Sequence, residues 1–311
     1  MNKVTIYEIQ GLYRDNFRVT GYEFGEGEEA VCIVGSMRGN EVQQLYCCSG
    51  LVKKLKAMEE AGKLTPGKKI LVIPCVNPYS MNIQKRFWTV DNTDINRMFP
   101  GYDLGETTQR IADGVFRVIS SYRFGIQFTS FYMPGEFMPH VRMMDTGFED
   151  TELAKQFGMP YVVLRKVRPY DTTTLNYNWQ IWERQAFSMY TTTTTRLDKK
   201  SAKEAMRGIL TFLHKQGIAE YHGHDGYRSQ VVKDVDMVSV RTTEAGLFDP
   251  SVSVGEEVEQ GQILAYLVDA CEGEVIETLR APVDGIVFFM HGDALTYADT
   301  AVFKLVVRAV I

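Results

Sequence analysis

The sequence predicts an α/β protein with a smaller all-β domain at its C-terminal end. Up to residue 222, apolar runs bounded by turn residues alternate with longer helical patterns. From residue 223 onward, short strand-like runs are separated by Gly and Pro turns, which is typical of a small β module. A chain of 311 residues exceeds one typical domain. We therefore predict an α/β domain over residues 1–222 and a β-rich domain over residues 223–311.

The first elements form a strand–helix–strand pattern. Apolar runs at residues 4–9, 30–34 and 69–76 predict strands, and a partial apolar stripe over residues 41–61 predicts a helix. A strand, a helix and a strand within this length form a βαβ unit, so a parallel sheet is expected. Similar patterns predict helices at residues 107–121 and 201–216, and a strand at residues 161–167. The threonine run at residues 191–195 predicts a strand end, because threonine is β-branched.

The C-terminal domain has the texture of a biotinyl/lipoyl-type barrel. Residues 254–264 and 281–287 resemble the two half-repeats of such a module. Carrier domains of that type attach their cofactor to a lysine in a hairpin, but no lysine occurs between Asp234 and Arg280. We therefore interpret this domain as a structural barrel without an attached cofactor.

Composition argues against several classes of function. The formal net charge of −5 and the pI near 5.7 do not favour nucleic acid as a partner, which usually needs a basic patch. Clusters such as Lys199, Lys200 and Lys203 lie in helical patterns and predict solvated helix faces. We find no leader-like or membrane-spanning apolar stretch, and the five cysteines lack CxxC spacing. We therefore expect a cytoplasmic protein with reduced cysteines and no membrane partner.

One short stretch carries a specific signature. Residues 94–101 read Asp-Ile-Asn-Arg-Met-Phe-Pro-Gly, and they follow the Asn77-Pro78 pair and Arg86. This order resembles the signature of the succinylglutamate desuccinylase/aspartoacylase family of zinc carboxypeptidase-like deacylases. The resemblance extends over nearly the whole chain and implies a carboxypeptidase-like mixed sheet flanked by helices. It also implies hydrolysis of N-acylated amino acids at a zinc ion held by two His and one Glu, with a second Glu as general base.

The resemblance implies that three residues hold the substrate. In the family the Asn-Arg pair, here Asn96 and Arg97, grips the substrate carboxylate, and the earlier arginine, here Arg86, stabilises the developing oxyanion. Chemistry supports this role independently, because a guanidinium offers planar bidentate donors to a carboxylate. The alternative is that Arg97 only pairs with Asp94, which lies three residues earlier.

The zinc positions depart from the family pattern. Of the His-Gly-x-Glu ligand motif, Glu41 is kept but Arg38 stands in place of histidine, and a guanidinium has no lone pair for a metal. Phe128 takes the position of the second histidine, and Tyr190 takes that of the general base. An unperturbed tyrosine has a pKa of about 10, so it is a poor base at neutral pH. Arg38 instead offers a fixed positive charge, which we expect to favour a bound carboxylate.

Two groups of histidines elsewhere in the sequence could supply substitute metal ligands. His140 could replace a missing ligand, and His222 with His224 forms an H-x-H pair that would need a third ligand from elsewhere. Such histidines are more often packing or surface residues, so we expect neither group to bind a metal.

The expected ligand is a small carboxylate or an N-acyl amino acid, bound with little or no hydrolysis and without zinc. An active metal-dependent deacylase with a rebuilt site is one alternative. A non-catalytic subunit or interaction protein is another, and association into a homo-oligomer is left open.

Overall fold

The computed structural model describes residues 1–11, 13, 15–131 and 133–308. They divide into two compact units. The first contains Met1–Ser130 and Pro139–Val231, and the second contains Phe131–Met138 and the residues from Val232 onward. The sequence-based boundary at 222/223 therefore lies slightly before the structural one, and a short internal segment belongs to the second unit.

Helices and strands alternate in the first unit, and strands dominate the second. The helices are α1 (Val42–Glu60), α2 (Pro78–Asn82), α3 (Thr107–Ile119), α4 (Thr151–Lys155), α5 (Leu175–Ile181) and α6 (Lys199–Lys215). The strands are β1 (Asn2–Ile9), β2 (Phe17–Phe24), β3 (Glu28–Ser36), β4 (Lys68–Cys75), β5 (Phe124–Phe128), β6 (Gly135–Phe137), β7 (His140–Asp145), β8 (Tyr161–Lys166), β9 (Gln185–Tyr190), β10 (Gln230–Lys233), β11 (Val238–Arg241), β12 (Gly246–Pro250), β13 (Glu257–Val258), β14 (Ile263–Val268), β15 (Val275–Arg280), β16 (Gly285–His291), β17 (Leu295–Thr296) and β18 (Ala301–Val307). Short 3-10 turns lie at Ile95–Arg97, Pro169–Asp171 and Asp234–Asp236.

The large sheet is mixed, with strand order β1-β2-β4-β3-β5-β9-β7-β8-β10. Strand β3 is parallel to β4 on one side and to β5 on the other, and β5 is parallel to β9. Antiparallel pairs join β1 to β2, β2 to β4 and β7 to β9. The predicted βαβ unit is thus confirmed as β3–α1–β4, and the predicted α/β class with a mixed sheet is confirmed with it.

Apolar side chains cover both faces of the large sheet. Along β3, Val31 and Ile33 belong to one buried cluster, whereas Cys32 and Val34 belong to another. Alternate residues of a strand point to opposite faces, so the two clusters lie on opposite sides of the sheet. Helices α1 and α6 complete the first cluster, and α3 and α5 complete the second. A strand that is buried on both faces has apolar residues at nearly every position. Residues 30–34 therefore show no alternation of apolar and polar residues.

The second unit consists of two antiparallel sheets. One has the order β11-β18-β16-β13, with β6 also paired to β16, and the other has the order β15-β14-β12-β17. Its core is formed by inward-pointing apolar residues such as Leu264, Leu267, Val287, Phe303 and Leu305. The predicted all-β character of this region is confirmed.

The threonine run after β9 does not continue the strand, so that prediction is wrong. Strand β9 ends at Tyr190, and residues 191–195 have no strand structure. The hydroxyl of Thr191 donates to the carbonyl oxygen of Thr193 at 2.9 Å. The carbonyl oxygen of Thr194 accepts from the N–H of Gln43 at 3.1 Å. The run is therefore a connection that fastens to the start of α1.

None of the helices in the described part of the chain is both long and apolar enough to cross a membrane.

Candidate functional site

Three neighbouring parallel strands, β3, β5 and β9, end at one edge of the large sheet. Val34 of β3 pairs with Gln127 of β5, and Gln127 pairs with Ser188 of β9. In open α/β sheets, ligands bind outside the carboxyl ends of the strands. The residues that follow these strands are therefore the candidates for a functional site.

A tight turn after β3 fixes the carboxylate of Glu41. The N–H of Glu41 donates to the carbonyl oxygen of Arg38 at 3.1 Å. Its Oε2 in turn accepts from the N–H groups of Met37 and Arg38, at 2.8 and 3.1 Å. The hydroxyl of Ser36 donates to the carbonyl oxygen of Glu41 at 2.6 Å. Glu41 is thus buried and held in place before α1 begins.

The guanidinium of Arg38 lies between two carboxylates. Its Nη1 donates to Oε1 of Glu41 at 2.9 Å, and its Nε and Nη2 donate to Oδ2 of Asp94 at 3.0 and 2.8 Å. Arg38 is only 4% exposed. Burial by itself lowers the pKa of Arg38, but the charges of Glu41 and Asp94 outweigh burial and raise that pKa above its ordinary value. The positive charge of Arg38 is therefore satisfied within the protein rather than offered to a ligand.

The residue that contacts Arg38 and Glu41 after β5 is Ser130. Its hydroxyl donates to Oε1 of Glu41 and accepts from Nη1 of Arg38 at 3.2 Å. The side chain of Phe128, to which the sequence analysis assigned the second histidine position, is fully buried in the apolar core. The structure thus brings Ser130, and not Phe128, into contact with Arg38 and Glu41. Arg38, Glu41, Asp94 and Ser130 are called the Arg38 cluster below.

Gly39 brings a second loop close to the Arg38 cluster. A Cβ at Gly39 would lie 2.1 Å from the carbonyl oxygen of Ser80 and 2.4 Å from that of Lys85, so only glycine fits. The loop is anchored at the start of α2, where the N–H of Ser80 donates to Oδ1 of Asn77 at 3.2 Å. Arg86 follows this loop directly and is positioned by it.

Arg86 is a half-buried cation that makes no ion pair or hydrogen bond with the residues described. Its guanidinium carbon lies 5.5 Å from the centre of the Phe87 ring. Burial and then repulsion from Arg38 lower the pKa of Arg86, and Arg97 contributes in the same direction, whereas the carboxylates of the Arg38 cluster act against them. A guanidinium in these surroundings favours the approach of an anion.

Asn96 lies in the 3-10 turn next to Arg97. Its Oδ1 accepts from Nε2 of Gln127 at 3.2 Å and from the N–H of Leu175 at 3.3 Å. Its Nδ2 makes no hydrogen bond with any residue in the described ranges. The amide nitrogen is thus a neutral donor that suits a carboxylate oxygen.

Arg97 pairs with Asp171 and not with Asp94. Its Nη1 lies 3.8 Å from Oδ1 of Asp171 and donates to the carbonyl oxygen of Tyr170. Asp171 also accepts from Nε of the buried Arg165 at 3.2 Å. The alternative of a local Arg97–Asp94 pair is therefore wrong, since the Asp94 carboxylate belongs to the Arg38 cluster. The side chain of Arg97 is 31% exposed and thus remains accessible to a ligand.

Tyr190, at the end of β9, is held by β7. Its ring stacks on the imidazole of His140 with centroids 4.5 Å apart and an interplanar angle of 8°. Nη1 of Arg142 donates to its hydroxyl oxygen at 3.0 Å. Tyr190 is 5% exposed, and His140 is fully buried. Stacking and a guanidinium contact therefore fix both residues in the protein interior.

His222 and His224 have separate partners at the surface. Nε2 of His222 lies 2.7 Å from Oε1 of Glu220, and Nδ1 of His224 accepts from the N–H of Gly226 at 2.9 Å. Among the described residues, no group of three or more His, Cys, Asp or Glu side chains is arranged to hold a metal ion. Neither this pair nor His140 therefore belongs to such a group among the described residues.

The Arg38 cluster does not suit the zinc ion that the family resemblance implies. Zinc sites combine imidazole, thiolate or carboxylate ligands around the ion. The cluster contains two carboxylates, but the Arg38 guanidinium already donates to both of them. A fixed positive charge at that place repels a second cation, and a guanidinium cannot act as a ligand. The donor set therefore disagrees with a zinc centre.

The chain thus combines a mixed α/β sheet, ion pairs beyond its parallel strands and a unit of antiparallel sheets, which is the carboxypeptidase-like architecture expected from the sequence. The model of the succinylglutamate desuccinylase/aspartoacylase catalytic domain matches residues 28–215. The chain belongs to this family.

Similar proteins agree with this assignment. The chain is 26% identical over 285 residues to the N-alpha-acetyl-L-2,4-diaminobutyric acid deacetylase of Halomonas elongata, covering 86% of this chain and 79% of that protein. The product-bound ectoine utilization protein EutE (DoeB) of Ruegeria pomeroyi matches with a TM-score of 0.79 and 19% identity, covering 94% of this chain and 90% of that one. A succinylglutamate desuccinylase of a Silicibacter species matches with a TM-score of 0.82 and 19% identity, covering 98% and 93%. At such identities the structural likeness shows the shared fold.

Proposed function

We propose that this chain binds a small carboxylate or an N-acyl amino acid beyond the carboxyl ends of β3 and β5, with little or no zinc-dependent hydrolysis. The observation that carries the proposal is Arg86, a half-buried guanidinium without an acidic partner in the described ranges. Such a cation is costly unless it meets an anion, so a bound carboxylate would complete its surroundings.

Two further donors support an anionic ligand. Nδ2 of Asn96 makes no hydrogen bond with the described residues, and the Arg97 side chain is partly exposed. Arg97 is also close enough to Arg86 to affect its pKa. Two guanidinium groups and one amide nitrogen match a ligand with at least one carboxylate and further acceptor atoms.

The Arg38 cluster supports the proposal of low hydrolytic activity. The guanidinium of Arg38 is bonded to Glu41, so this carboxylate is engaged with the protein rather than with a metal or a reacting water. Tyr190 is a poor candidate for a base because its side chain is buried in the protein interior, stacked on His140, where a reacting water has little access. The proposal therefore separates binding, which keeps its donors, from water activation, which lacks its usual groups.

Calorimetric titration tests the binding function. The probes are a series of N-acetyl amino acids and N-alpha-acetyl-L-2,4-diaminobutyric acid. The latter is the compound for which the Halomonas elongata deacetylase is named. The Arg86→Ala substitution should weaken binding by about tenfold to a hundredfold, because this is the usual loss of affinity when a hydrogen bond to a charged group is removed. Arg110→Ala, an exposed arginine on α3, is the matched control and should leave affinity unchanged. Equal affinity in the wild type and Arg86→Ala would refute this role of Arg86.

An active deacetylase is the second candidate, and the name of the Halomonas elongata relative favours it. Acetate release and zinc content, measured on protein grown in zinc-rich medium, distinguish the two. Near-stoichiometric zinc that tracks with activity would overturn the proposal of weak hydrolysis. Absence of any ligand-induced rise in melting temperature would instead favour a non-catalytic subunit, because a ligand that binds only the folded state must stabilise it.

A further inference from the structure

A cavity of about 520 Å³ lies beside helix α6 in the first unit and shares no residue with the candidate site. Its volume falls within the range of small-molecule sites. The side chains around it are mostly basic or aromatic: Lys200, Lys203, Glu204, Arg207, His224 and Tyr227. Lys199, Lys200 and Lys203 are exposed, as expected for a solvated helix face, and Lys200 and Lys203 also line this concavity.

One wall of this cavity is a loop fastened to the helix. Nη1 of Arg207 donates to the carbonyl oxygen of His224 at 3.0 Å, and its Nη2 donates to that of Gly158 at 3.4 Å. The N–H of Tyr227 donates to the same Gly158 oxygen at 2.9 Å. Gly226 has a φ of +88°, and a Cβ there would lie 2.2 Å from the Gly158 oxygen. The concavity is therefore set by specific contacts and by a position that requires glycine.

The charges in the cavity are unbalanced. Lys200, Lys203 and Arg207 contact no carboxylate within the described part of the chain. The negative charge of the nearby Glu204 raises the pKa of Tyr227, and burial acts in the same direction. From residue 200 to residue 207 the helix rises by roughly 10 Å, so one carboxylate cannot reach all three cations. An extended anion with more than one charge fits this spacing.

The cavity also offers an aromatic surface. Tyr227 is 56% exposed and contributes its ring to the wall. Lysine side chains line such walls with their methylene groups while their ammonium groups stay in water. A flat aromatic group could therefore stack on the ring while its charged portion lies along the helix.

We propose that the cavity beside α6 binds a ligand that joins two or more phosphates to an aromatic ring, as a nucleoside diphosphate does. The phosphates contact Lys200, Lys203 and Arg207, and the base stacks on Tyr227. The site is independent of the carboxylate site proposed above, because the two share no residue.

Calorimetric titration of the full chain with ADP, adenosine and pyrophosphate tests the proposal. ADP should bind saturably, and Lys200→Glu/Lys203→Glu should weaken it by about tenfold or more, because two attractions become repulsions. Lys53→Glu/Lys54→Glu on α1 reverses the same number of exposed charges outside the cavity and should have little effect. Tyr227→Leu should weaken ADP by about fivefold or more while leaving pyrophosphate unchanged.

Several outcomes would overturn the assignment. The site is ruled out if ADP shows no saturable binding at millimolar concentration. It is also ruled out if the two double variants weaken ADP binding equally. Equal affinity for pyrophosphate and ADP, with no effect of Tyr227→Leu, removes the aromatic part of the proposal. ADP binding should persist in Arg86→Ala, and its loss there would place the nucleotide in the carboxylate site instead.

Discussion

Arg38 and Asp94 lie 56 residues apart in the sequence, yet two N–H groups of the guanidinium meet one oxygen of the carboxylate at 3.0 and 2.8 Å. This contact joins the turn after β3 to the 3-10 turn that carries Asn96 and Arg97. Glu41 holds the guanidinium from the other side. The protein thus ties these segments together with an internal cation.

Removing that cation should destabilise the fold strongly. Arg38→Met leaves the carboxylates of Glu41 and Asp94 facing each other in the interior without a positive charge. Loss of one partner from a buried pair costs about 3–5 kcal/mol, so the free energy of unfolding should fall by that amount. Urea denaturation followed by circular dichroism measures it.

The matched control is Arg117→Met. Arg117 also pairs with two carboxylates, Asp103 and Asp113, at 3.0 and 2.9 Å, but its side chain is 64% exposed. Water screens such pairs, so this variant should unfold at nearly the wild-type urea concentration. A similar loss in both variants would show that burial does not set the strength of the Arg38 cluster.

The Arg38 cluster also shows where sequence reasoning stops. Arg38 and Glu41 are three residues apart, so their pairing could be expected from the sequence. Asp94 is distant in the chain, and no pattern indicates that it would turn to Arg38 rather than to Arg97. Long periodic elements such as α1 and the β3–α1–β4 unit were predictable because many residues repeat one signal.

The end of β5 explains why Ser130, and not Phe128, contacts the other residues of the Arg38 cluster. Strand β5 ends at Phe128, so its side chain still follows the alternation of the strand and packs in the core. Two residues later the chain has left the strand, and Ser130 points to Arg38 and Glu41. Element boundaries are the least reliable part of a sequence-based prediction, so the sequence does not indicate which residue near the end of β5 reaches Arg38 and Glu41.

Gly39 should be intolerant of any side chain. In Gly39→Ala the new Cβ would lie 2.1 Å from the carbonyl oxygen of Ser80, so the loop that leads to Arg86 must move. We expect a loss of about 1–3 kcal/mol in the free energy of unfolding, typical of overpacking, together with weaker carboxylate binding. Gly50→Ala is the control, because its Cβ would meet only the flexible side chain of Met206. Wild-type stability and affinity in Gly39→Ala would contradict the close approach seen here.

The second unit should lose stability as the pH falls below neutrality. His291 is 7% exposed, and burial lowers its pKa below the ordinary value of 6.5. The unfolded chain then binds a proton near pH 6.5, whereas the folded chain binds it only at lower pH, so acidification favours unfolding. The melting temperature should therefore drop on going from about pH 7.5 to below about pH 6. In His291→Gln this drop should shrink, and in His224→Gln, an exposed position, it should match the wild type.

The Arg38 cluster should become a metal site when its charge is replaced by ligands. The double variant Arg38→His/Ser130→His removes the guanidinium and places two imidazoles next to Glu41, because both side chains contact that carboxylate in the wild type. Two imidazoles and one carboxylate form a usual three-ligand zinc set with one open position. We expect near-stoichiometric zinc by mass spectrometry after dialysis, and a higher melting temperature with zinc than without it.

Comparison with the single variants shows whether geometry or charge controls this change. Arg38→His alone removes the positive charge but supplies one imidazole fewer, so zinc should remain weakly bound and wash out on dialysis. The wild type should bind none, since the guanidinium of Arg38 repels a cation between the carboxylates that it already contacts. Stoichiometric zinc in the wild type would contradict this account. Failure of a folded double variant to bind zinc would show that residues 38 and 130 do not converge with Glu41 on one point.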